Sequence, residues 1–409
     1  MTCLLRFVIA FLGSGWLLTA QAQTDTLKQP DSQRHIPLDK QRDVLDVARK
    51  LFPFLHLKRN DDTVTLPVGR TFAWVLPELG YSLQTRLLVE LQGNIAYRRA
   101  GANVSTIIPA VAYSQNNQLF FATRLNSWTR DNRFNWIGDY RLYKYPQATY
   151  GIGTATKSAD ELRIDFTYLR LYQTLLKRIR PNTYAGLGYH LDYHWNIRTL
   201  TTEDAPAMIP NYTIGTQGQS ISSGLSVNFL YDSRINSQNP EAATYANVVF
   251  RSNFRWLGSD ISYQSLMVDV RKYVYLPAWS DAILALWSYN SFTFGGAAPY
   301  LDLPSTGNDM YENSGRGYIQ GRFRGRNFLY QEAEYRFPIT HNRLLGGVVF
   351  VNNQIVSEPI TNRLGPFAPG AGAGIRLTTN KFSRLNLAID YAIGLNGSNG
   401  FFFNFGEFF

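Results

Sequence analysis

Residues 185–197 read AGLGYHLDYHWNI, and every second residue from Leu187 to Ile197 is large and apolar. The intervening residues are small, polar or charged, namely Gly186, Gly188, His190, Asp192, His194 and Asn196. A period of two places these sets on opposite faces of a β-strand. The stretch is longer than the roughly 5–6 residues of a soluble strand. It therefore fits a strand that crosses a bilayer, which needs about 9–11 residues.

The same alternation recurs along the chain, as at 87–97, 134–142 and 385–393. The polar faces carry Gly, Ala, Asn, Asp and Arg, which is typical of a crowded polar lumen. We predict strands at 68–78, 86–98, 103–115, 118–129, 133–146, 160–174, 181–198, 219–233, 244–257, 259–275, 280–294, 327–338, 343–357, 368–379, 383–396 and 399–409. The prediction is an all-β fold, a transmembrane antiparallel β-barrel of about sixteen strands, with extracellular loops at 199–218 and 295–326.

The composition agrees with a barrel embedded in lipid. Charged residues make up 17% and aromatic residues 14% of the chain, whereas soluble proteins carry about 25% charged residues. The net charge of +10 is spread along the chain, so we expect contact with anionic lipid or a basic lumen, and no nucleic acid. Cys3 is the only cysteine and lies in the predicted leader, so we expect no disulfide or catalytic thiol in the mature chain.

The N-terminal region is predicted to direct export. Arg6 precedes an apolar run at 7–18, and Ala20-Gln21-Ala22 supplies a cleavage site, so residues 1–22 resemble a signal peptide. An uncleaved anchor is the alternative, but the run is short for a membrane span. Residues 23–66 are predicted to form a periplasmic stub, with an amphipathic helix at 39–52 that caps the barrel mouth, plugs it or lies on the membrane. Capping is favoured, and 67–409 is the predicted barrel.

The loop at 295–326 contains SGRGYIQGRFR at 314–324, and the strand after it reads FLYQEAEYRFP at 328–338. Here the chain resembles the BamA/TamA family of outer-membrane barrels, also called bacterial surface antigens. The resemblance implies that Arg316, Gly317 and Tyr318 form the tip of a loop that folds back into the lumen. It also implies that Arg316 meets Glu334 and the position of Asn352, where the family usually has an Asp. Gly317 would permit a turn that other residues resist.

Further matches extend the resemblance over residues 68–409. Asp232 and Arg234, followed by Asn239-Pro240, resemble a mid-barrel motif of the family. The ending at 401–409 resembles a C-terminal assembly signal that would also form one side of a seam. Its aromatic residues are Phe401, Phe403, Phe405 and Phe409. The 23–66 segment is too short for even one of the family's periplasmic POTRA domains, so we expect a member that lacks them.

A second constellation points to different chemistry. His190, Asp192 and His194 share one face of a predicted strand, and this spacing could bind a metal ion. A flat row on one strand does not close a tetrahedral shell, so ordinary lumen lining is favoured. We find no G-x-S-x-G turn, and the Gly-rich run at 370–374 lacks the Lys of a phosphate loop. We therefore expect no cofactor and no enzyme.

Three functions remain open at this point. The resemblance implies a Gram-negative outer-membrane protein that assists insertion or translocation of proteins or lipids. Its partners would be outer-membrane lipids, lipopolysaccharide, unfolded client proteins and accessory periplasmic proteins. A weak seam between 68–78 and 401–409 could template client strands. The alternatives are a passive or gated channel, whose basic lumen favours small anionic solutes, and, ranked last, an enzyme using His190 and His194.

Overall fold

A single antiparallel sheet makes up most of the computed structural model, which describes residues 36–52, 67–276, 281–358 and 361–409. The predicted all-β barrel fold is confirmed. The signal peptide predicted at 1–22, with Cys3, lies outside the described residues.

Besides a few short 3₁₀ helices, the secondary structure comprises one α-helix and seventeen strands within the described residues. These are α1 (Val44–Leu51), β1 (Thr71–Ser82), β2 (Arg86–Arg98), β3 (Val104–Ser114), β4 (Leu119–Trp128), β5 (Phe134–Lys144), β6 (Gln147–Thr149), β7 (Leu162–Arg180), β8 (Thr183–Leu200), β9 (Gly218–Asp232), β10 (Ala243–Asn253), β11 (Tyr263–Leu276), β12 (Ala282–Phe294), β13 (Asn327–Pro338), β14 (Leu345–Val356), β15 (Ala368–Asn380), β16 (Leu385–Ile393) and β17 (Asn399–Phe405).

Each wall strand pairs with its neighbours in chain order. The short strand β6 pairs with the start of β7, and β5 also pairs directly with β7, so sixteen strands form the wall. The turns at one end are short, as at 181–182, whereas the other end carries loops such as 201–217 and 295–326. Short turns face the periplasm in outer-membrane barrels and long loops face outward, and this sets the orientation used below.

Several strands differ from their predicted bounds by a few residues, and two of these differences have a clear structural cause. β7 continues to Arg180, six residues past the predicted end, because its outward residues Leu175 and Ile179 keep alternating. The strand predicted at 399–409 is wrong at its end, because β17 stops at Phe405. Gly406 then adopts a φ of +93°, a conformation that favours glycine, and the chain turns into the lumen.

The alternation in sequence corresponds to two faces of the wall. Leu187 is 68% exposed on the outer face, whereas His190, Asp192 and His194 are buried inside. Among the described residues, no helix is both long and apolar enough to cross a membrane.

The first and last strands meet at a seam. Tyr81 of β1 and Phe403 of β17 contact edge to face, with ring centroids 6.1 Å apart. Within the described residues, however, no backbone ladder joins the two strands, and β1 pairs only with β2. Two features oppose pairing here. β17 has 7 residues against 12 in β1, and Pro77 lies in the middle of β1, where it supplies no N–H donor.

The helix α1 lies at the periplasmic mouth. Asp43 caps its N-terminus by accepting a hydrogen bond from the Asp46 N–H. Lys381, in the β15–β16 turn, forms an ion pair with Asp46 at 2.7 Å. The backbone N–H of Arg42 donates to the Asn342 carbonyl at 2.9 Å. The helix is shorter than the predicted 39–52 and is fixed against two turns of the wall.

Candidate functional site

The lumen loop, residues 295–326, folds back into the barrel and brings Arg316 to its inner wall. The Arg316 side chain is 1% exposed, although it belongs to a connection between strands. Its guanidinium donates hydrogen bonds to Glu332 and Glu334 of β13 and to Asp390 of β16. The Phe350 ring lies 3.6 Å from the guanidinium and covers it. A buried Arg is stable only when carboxylates compensate its charge, and here three carboxylates surround it.

Asn352 takes a different role from the one the resemblance implied. Its Nδ2 donates to the backbone carbonyl of Arg316 at 2.9 Å, so it holds the main chain of the tip and not the guanidinium. Glu332, directly opposite Asn352 in the β13–β14 register, supplies a carboxylate in its place. Asp390 supplies another. The sequence motif predicted neither Glu332 nor Asp390 as a partner of Arg316, although both fall on lumen-facing positions of their strands.

The neighbours of Arg316 fix the loop tip. Gly317 adopts a φ of +101°, and a Cβ there would lie 2.8 Å from the Ile393 carbonyl oxygen, so a larger residue does not fit. The Tyr318 hydroxyl donates to the Pro369 carbonyl at 2.5 Å and accepts from the Leu395 N–H at 2.9 Å. The tip therefore contacts β15 and the β16–β17 hairpin as well as the Arg316 carboxylates.

The tail, residues 406–409, joins the same cluster from the periplasmic side. Glu407 accepts from Arg376 Nε at 2.7 Å. Burial favours the neutral form of Glu407, but the charges of Arg376 and Arg336 lower its pKa below the ordinary value. The Phe408 ring stacks 4.4 Å from the Arg316 guanidinium.

The last two residues are buried among lumen side chains. The Phe408 carbonyl accepts from Asn313 Nδ2, in the lumen loop, at 2.7 Å. Phe409 packs on Trp287, with ring centroids 5.1 Å apart, and its carbonyl accepts from Arg336 at 3.0 Å. The tail thus forms part of the socket that holds Arg316.

The base of the lumen loop is fixed to a different part of the wall. Asp302 accepts from the Ser222 hydroxyl at 2.5 Å and from the Tyr263 hydroxyl at 3.3 Å. Its other oxygen lies 3.7 Å from His194 Nδ1. Burial, together with the charge of Asp192, raises the pKa of Asp302 to about 7. Sequence reasoning missed Asp302, because nothing in a loop sequence shows which wall it meets.

The structure gives no support to the weak metal candidate His190–Asp192–His194, because its groups already have other partners. Asp192 accepts from the hydroxyls of Tyr168 and Tyr172, at 2.5 Å and 2.6 Å, and from Arg251 at 2.5 Å. The His rings stack on Tyr172 and Tyr168. In the described part of the chain, no group of three His, Cys, Asp or Glu residues could hold a metal ion.

The expected basic lumen is largely neutralised. Four of the arginines form ion pairs with an acid two residues earlier in the chain. These pairs are Asp139–Arg141, Asp232–Arg234, Asp269–Arg271 and Glu334–Arg336. The lumen loop fills much of the interior and leaves a cavity of about 360 Å³ against β5–β12. A lumen of paired charges does not favour small anions, so the channel alternative loses its main support.

The Asp232–Arg234 motif lies at the periplasmic end of the wall and not at mid-barrel. The two side chains form two hydrogen bonds of 2.9 Å, and Arg234 stacks 4.1 Å from the Tyr245 ring. In the turn that follows, Asn236 and Asn239 donate to carbonyls of the β15–β16 turn, at 2.8 Å and 3.0 Å. Segment 233–242 therefore crosses the periplasmic mouth.

The aromatic residues of the C-terminal stretch divide into two groups. Phe401 and Phe403 face outward and are 51% and 42% exposed. Phe405 ends β17 half-buried, and Phe409 lies in the lumen at 3% exposure. Only the first three lie on a strand that borders the seam.

A sheet of sixteen antiparallel wall strands curled around an in-folded arginine loop defines an outer-membrane β-barrel protein. The chain belongs to the Omp85 superfamily, whose domain matches residues 92–409. The solved structures it resembles include BamA from Haemophilus ducreyi lacking POTRA domains 1–3, at 16% identity and a TM-score of 0.55, covering 82% of this chain and 70% of that one.

Two CdiB structures are also similar. CdiB from Escherichia coli matches at 10% identity and a TM-score of 0.55, covering 94% of this chain and 73% of that one. CdiB from Acinetobacter baumannii matches at 14% identity and 0.52, with 82% of this chain and 60% of that one covered. A comparison with curated proteins finds no match. The protein is located in the bacterial outer membrane.

Proposed function

We propose that this barrel assists the insertion or translocation of proteins at the outer membrane, and that the seam between β1 and β17 is where it acts. Membership of the Omp85 superfamily supports the general function. The observation that carries the proposed mechanism is the unpaired edge of β1, whose described backbone pairs with β2 alone.

An unpaired strand edge inside a bilayer is costly, because lipid offers no hydrogen-bond partners. A client strand that adds to this edge would satisfy those groups by β-augmentation. The short β17 and Pro77 weaken the competing closure within the barrel. Clients would be unfolded outer-membrane proteins, delivered by accessory periplasmic proteins.

The lumen loop would brace the barrel while the seam opens. The Ser398 hydroxyl, in the β16–β17 hairpin, donates to the Gly317 carbonyl at 2.7 Å. The Phe408 ring covers Arg316 from the other end of β17. Both ends of the last strand are therefore attached to the loop tip, so movement of β17 and release of Arg316 would be coupled.

The test is to lock the seam by a covalent bond. Tyr81→Cys with Phe403→Cys places a thiol on each side of the seam, where the native rings are 6.1 Å apart, and a short bis-maleimide joins them. The matched control is Tyr391→Cys with Phe401→Cys, on the paired strands β16 and β17. We expect the seam lock to abolish assembly of outer-membrane proteins in a deletion strain, whereas the control lock leaves assembly intact.

Normal assembly by a barrel whose seam is fully cross-linked would overturn the mechanism. Unchanged outer-membrane protein content in the deletion strain, with reduced uptake of small solutes, would overturn the proposed function itself and favour a channel.

A further inference from the structure

The periplasmic end of the wall carries an unusual concentration of positive charge on one side. We define the basic rim as residues 99–103, 129–133 and 177–182. These are the β2–β3 turn, the β4–β5 turn, and the end of β7 with the β7–β8 turn. It contains six exposed cations, Arg99, Arg130, Arg133, Lys177, Arg178 and Arg180. Its one carboxylate is Asp131. The rim therefore supplies about half of the net charge of +10.

Hydrogen bonds between turns join the three segments into one surface. The Asp131 N–H donates to the Ala100 carbonyl at 3.1 Å, and Asn132 Oδ1 accepts from the Asn103 N–H at 2.8 Å. On the other side, the Arg178 N–H donates to the Arg133 carbonyl at 2.9 Å. The cations are thus held next to one another by a fixed backbone.

The opposite half of the same periplasmic end is different. There Arg234, Arg343, Lys381 and Arg384 each contact a carboxylate, at distances between 2.5 Å and 2.9 Å. Within the described residues, none of the six rim cations lies within ion-pair distance of a carboxylate. The charge of the rim is therefore available to an external anion.

The rim continues directly from the lipid-facing surface. Lys177 pairs in register with Phe134, and Leu175 pairs with Trp136. Trp136, Leu175 and Ile179 face outward and are 44%, 54% and 61% exposed. Outward aromatic residues mark the membrane–water interface, and long basic side chains beside them extend toward the headgroups. Lys177 lies between Leu175 and Ile179 on this outer face.

We propose that the basic rim binds the headgroups of anionic phospholipids in the periplasmic leaflet. The exposed guanidinium and ammonium groups fit the charged headgroup of an anionic phospholipid. The outward apolar residues beside them fit its acyl chains. An acidic protein would need the cations but not their alternation with lipid-facing residues. The proposal does not depend on the function proposed above.

The test uses the full chain reconstituted in phosphatidylethanolamine vesicles that contain a small fraction of dansyl-labelled phosphatidylglycerol. Energy transfer from tryptophan reports labelled lipid near the wall, and labelled phosphatidylethanolamine is the reference. The variant is Arg130→Gln with Lys177→Gln and Arg180→Gln. The control makes the same charge change at exposed extracellular positions, as Arg86→Gln with Lys157→Gln and Arg363→Gln.

We expect labelled phosphatidylglycerol to be enriched near the wall of the wild type and of the control. In the rim variant this enrichment should fall about tenfold or more, since each cation near an anionic surface contributes on the order of fivefold. High salt should weaken the enrichment in wild type. If the triple variant fails to fold, Lys177→Gln alone is measured and should lose part of the enrichment. Equal transfer from both lipids in wild type overturns the proposal. So does undiminished enrichment in the folded rim variant, and if that variant loses function in cells, the rim serves an acidic protein instead.

Discussion

Arg316 makes charged and aromatic contacts with several parts of the barrel through one side chain. Its guanidinium meets Glu332, Glu334 and Asp390, and is enclosed by the rings of Phe350 and Phe408. The planar fork of Arg fits several carboxylates at once, whereas the ammonium group of Lys does not.

We expect Arg316→Lys to lower the free energy of unfolding. Arg316→Ala should lower it more, by about 3–5 kcal/mol, because removal of one partner leaves buried carboxylates without compensation. Arg363→Gln, at an exposed position, is the control and should have no effect. The temperature at which the folded barrel changes mobility on a gel gives the measurement. Equal temperatures for wild type and Arg316→Ala would show that the cluster adds no stability.

The sequence motif identified Arg316 but not all of the carboxylates that surround it. Arg316 stood out through its motif, but Glu332 and Asp390 lie on different strands, and only the barrel brings them together. Alternation correctly placed both on the lumen face. It could not identify which lumen carboxylates meet the loop, since that depends on how deeply the loop enters.

At the level of elements, β17 and the tail behave as one unit with the lumen loop. An alternating aromatic pattern extends to Phe409 and predicts a strand, and the sixteen wall strands were predicted well for this reason. The pattern fails after Phe405, because Gly406 permits a turn and the lumen offers Phe408 and Phe409 buried positions that lipid-facing residues lack.

We expect Phe408→Ala to release the loop tip, because the ring that covers Arg316 is lost. Ser314→Cys is a suitable reporter, since Ser314 is 4% exposed beside Arg316 and reacts with maleimide only when the tip leaves the lumen. Labelling should become about tenfold faster, which corresponds to 1–2 kcal/mol of local stability. Phe401→Ala, which removes an outward ring, should leave the rate unchanged. A rate that is equal in both variants would mean that the tail does not hold the loop.

For the whole molecule, the lumen loop spans the barrel from one wall to another. Its tip is held by β13 and β16 through Arg316, and its base by β9 and β11 through Asp302, Ser222 and Tyr263. The two anchors differ chemically, since the first is a guanidinium among three carboxylates and the second is a carboxyl group that accepts from two hydroxyls.

The Asp302 anchor predicts a pH dependence. The pKa of this carboxyl is about 7 in the folded barrel and about 3.9 in an unfolded chain. A raised folded pKa gives stability that is present at low pH and lost as pH rises through about 7. Asp192, Arg170, Arg251 and His194 face the group and share in the effect.

Between pH 5 and pH 8 we expect the melting temperature of wild type to fall by a few degrees. Asp302→Asn should make that fall smaller, because Asn does not titrate. A wild-type melting temperature that rises over this range, or an Asn variant with the same dependence, would contradict the assignment.

The pairs Asp139–Arg141, Asp269–Arg271 and Glu334–Arg336 each lie within one strand. Each therefore neutralises its own charge before any neighbouring strand is in place. If the wall is built strand by strand, an unpaired guanidinium exposed to lipid at an intermediate stage would be a barrier. Self-contained pairs make the order of strand addition unimportant for charge compensation. The Arg316 socket draws on β13, β16 and the tail, so its full set of contacts requires that β17, which precedes the tail, is already in place.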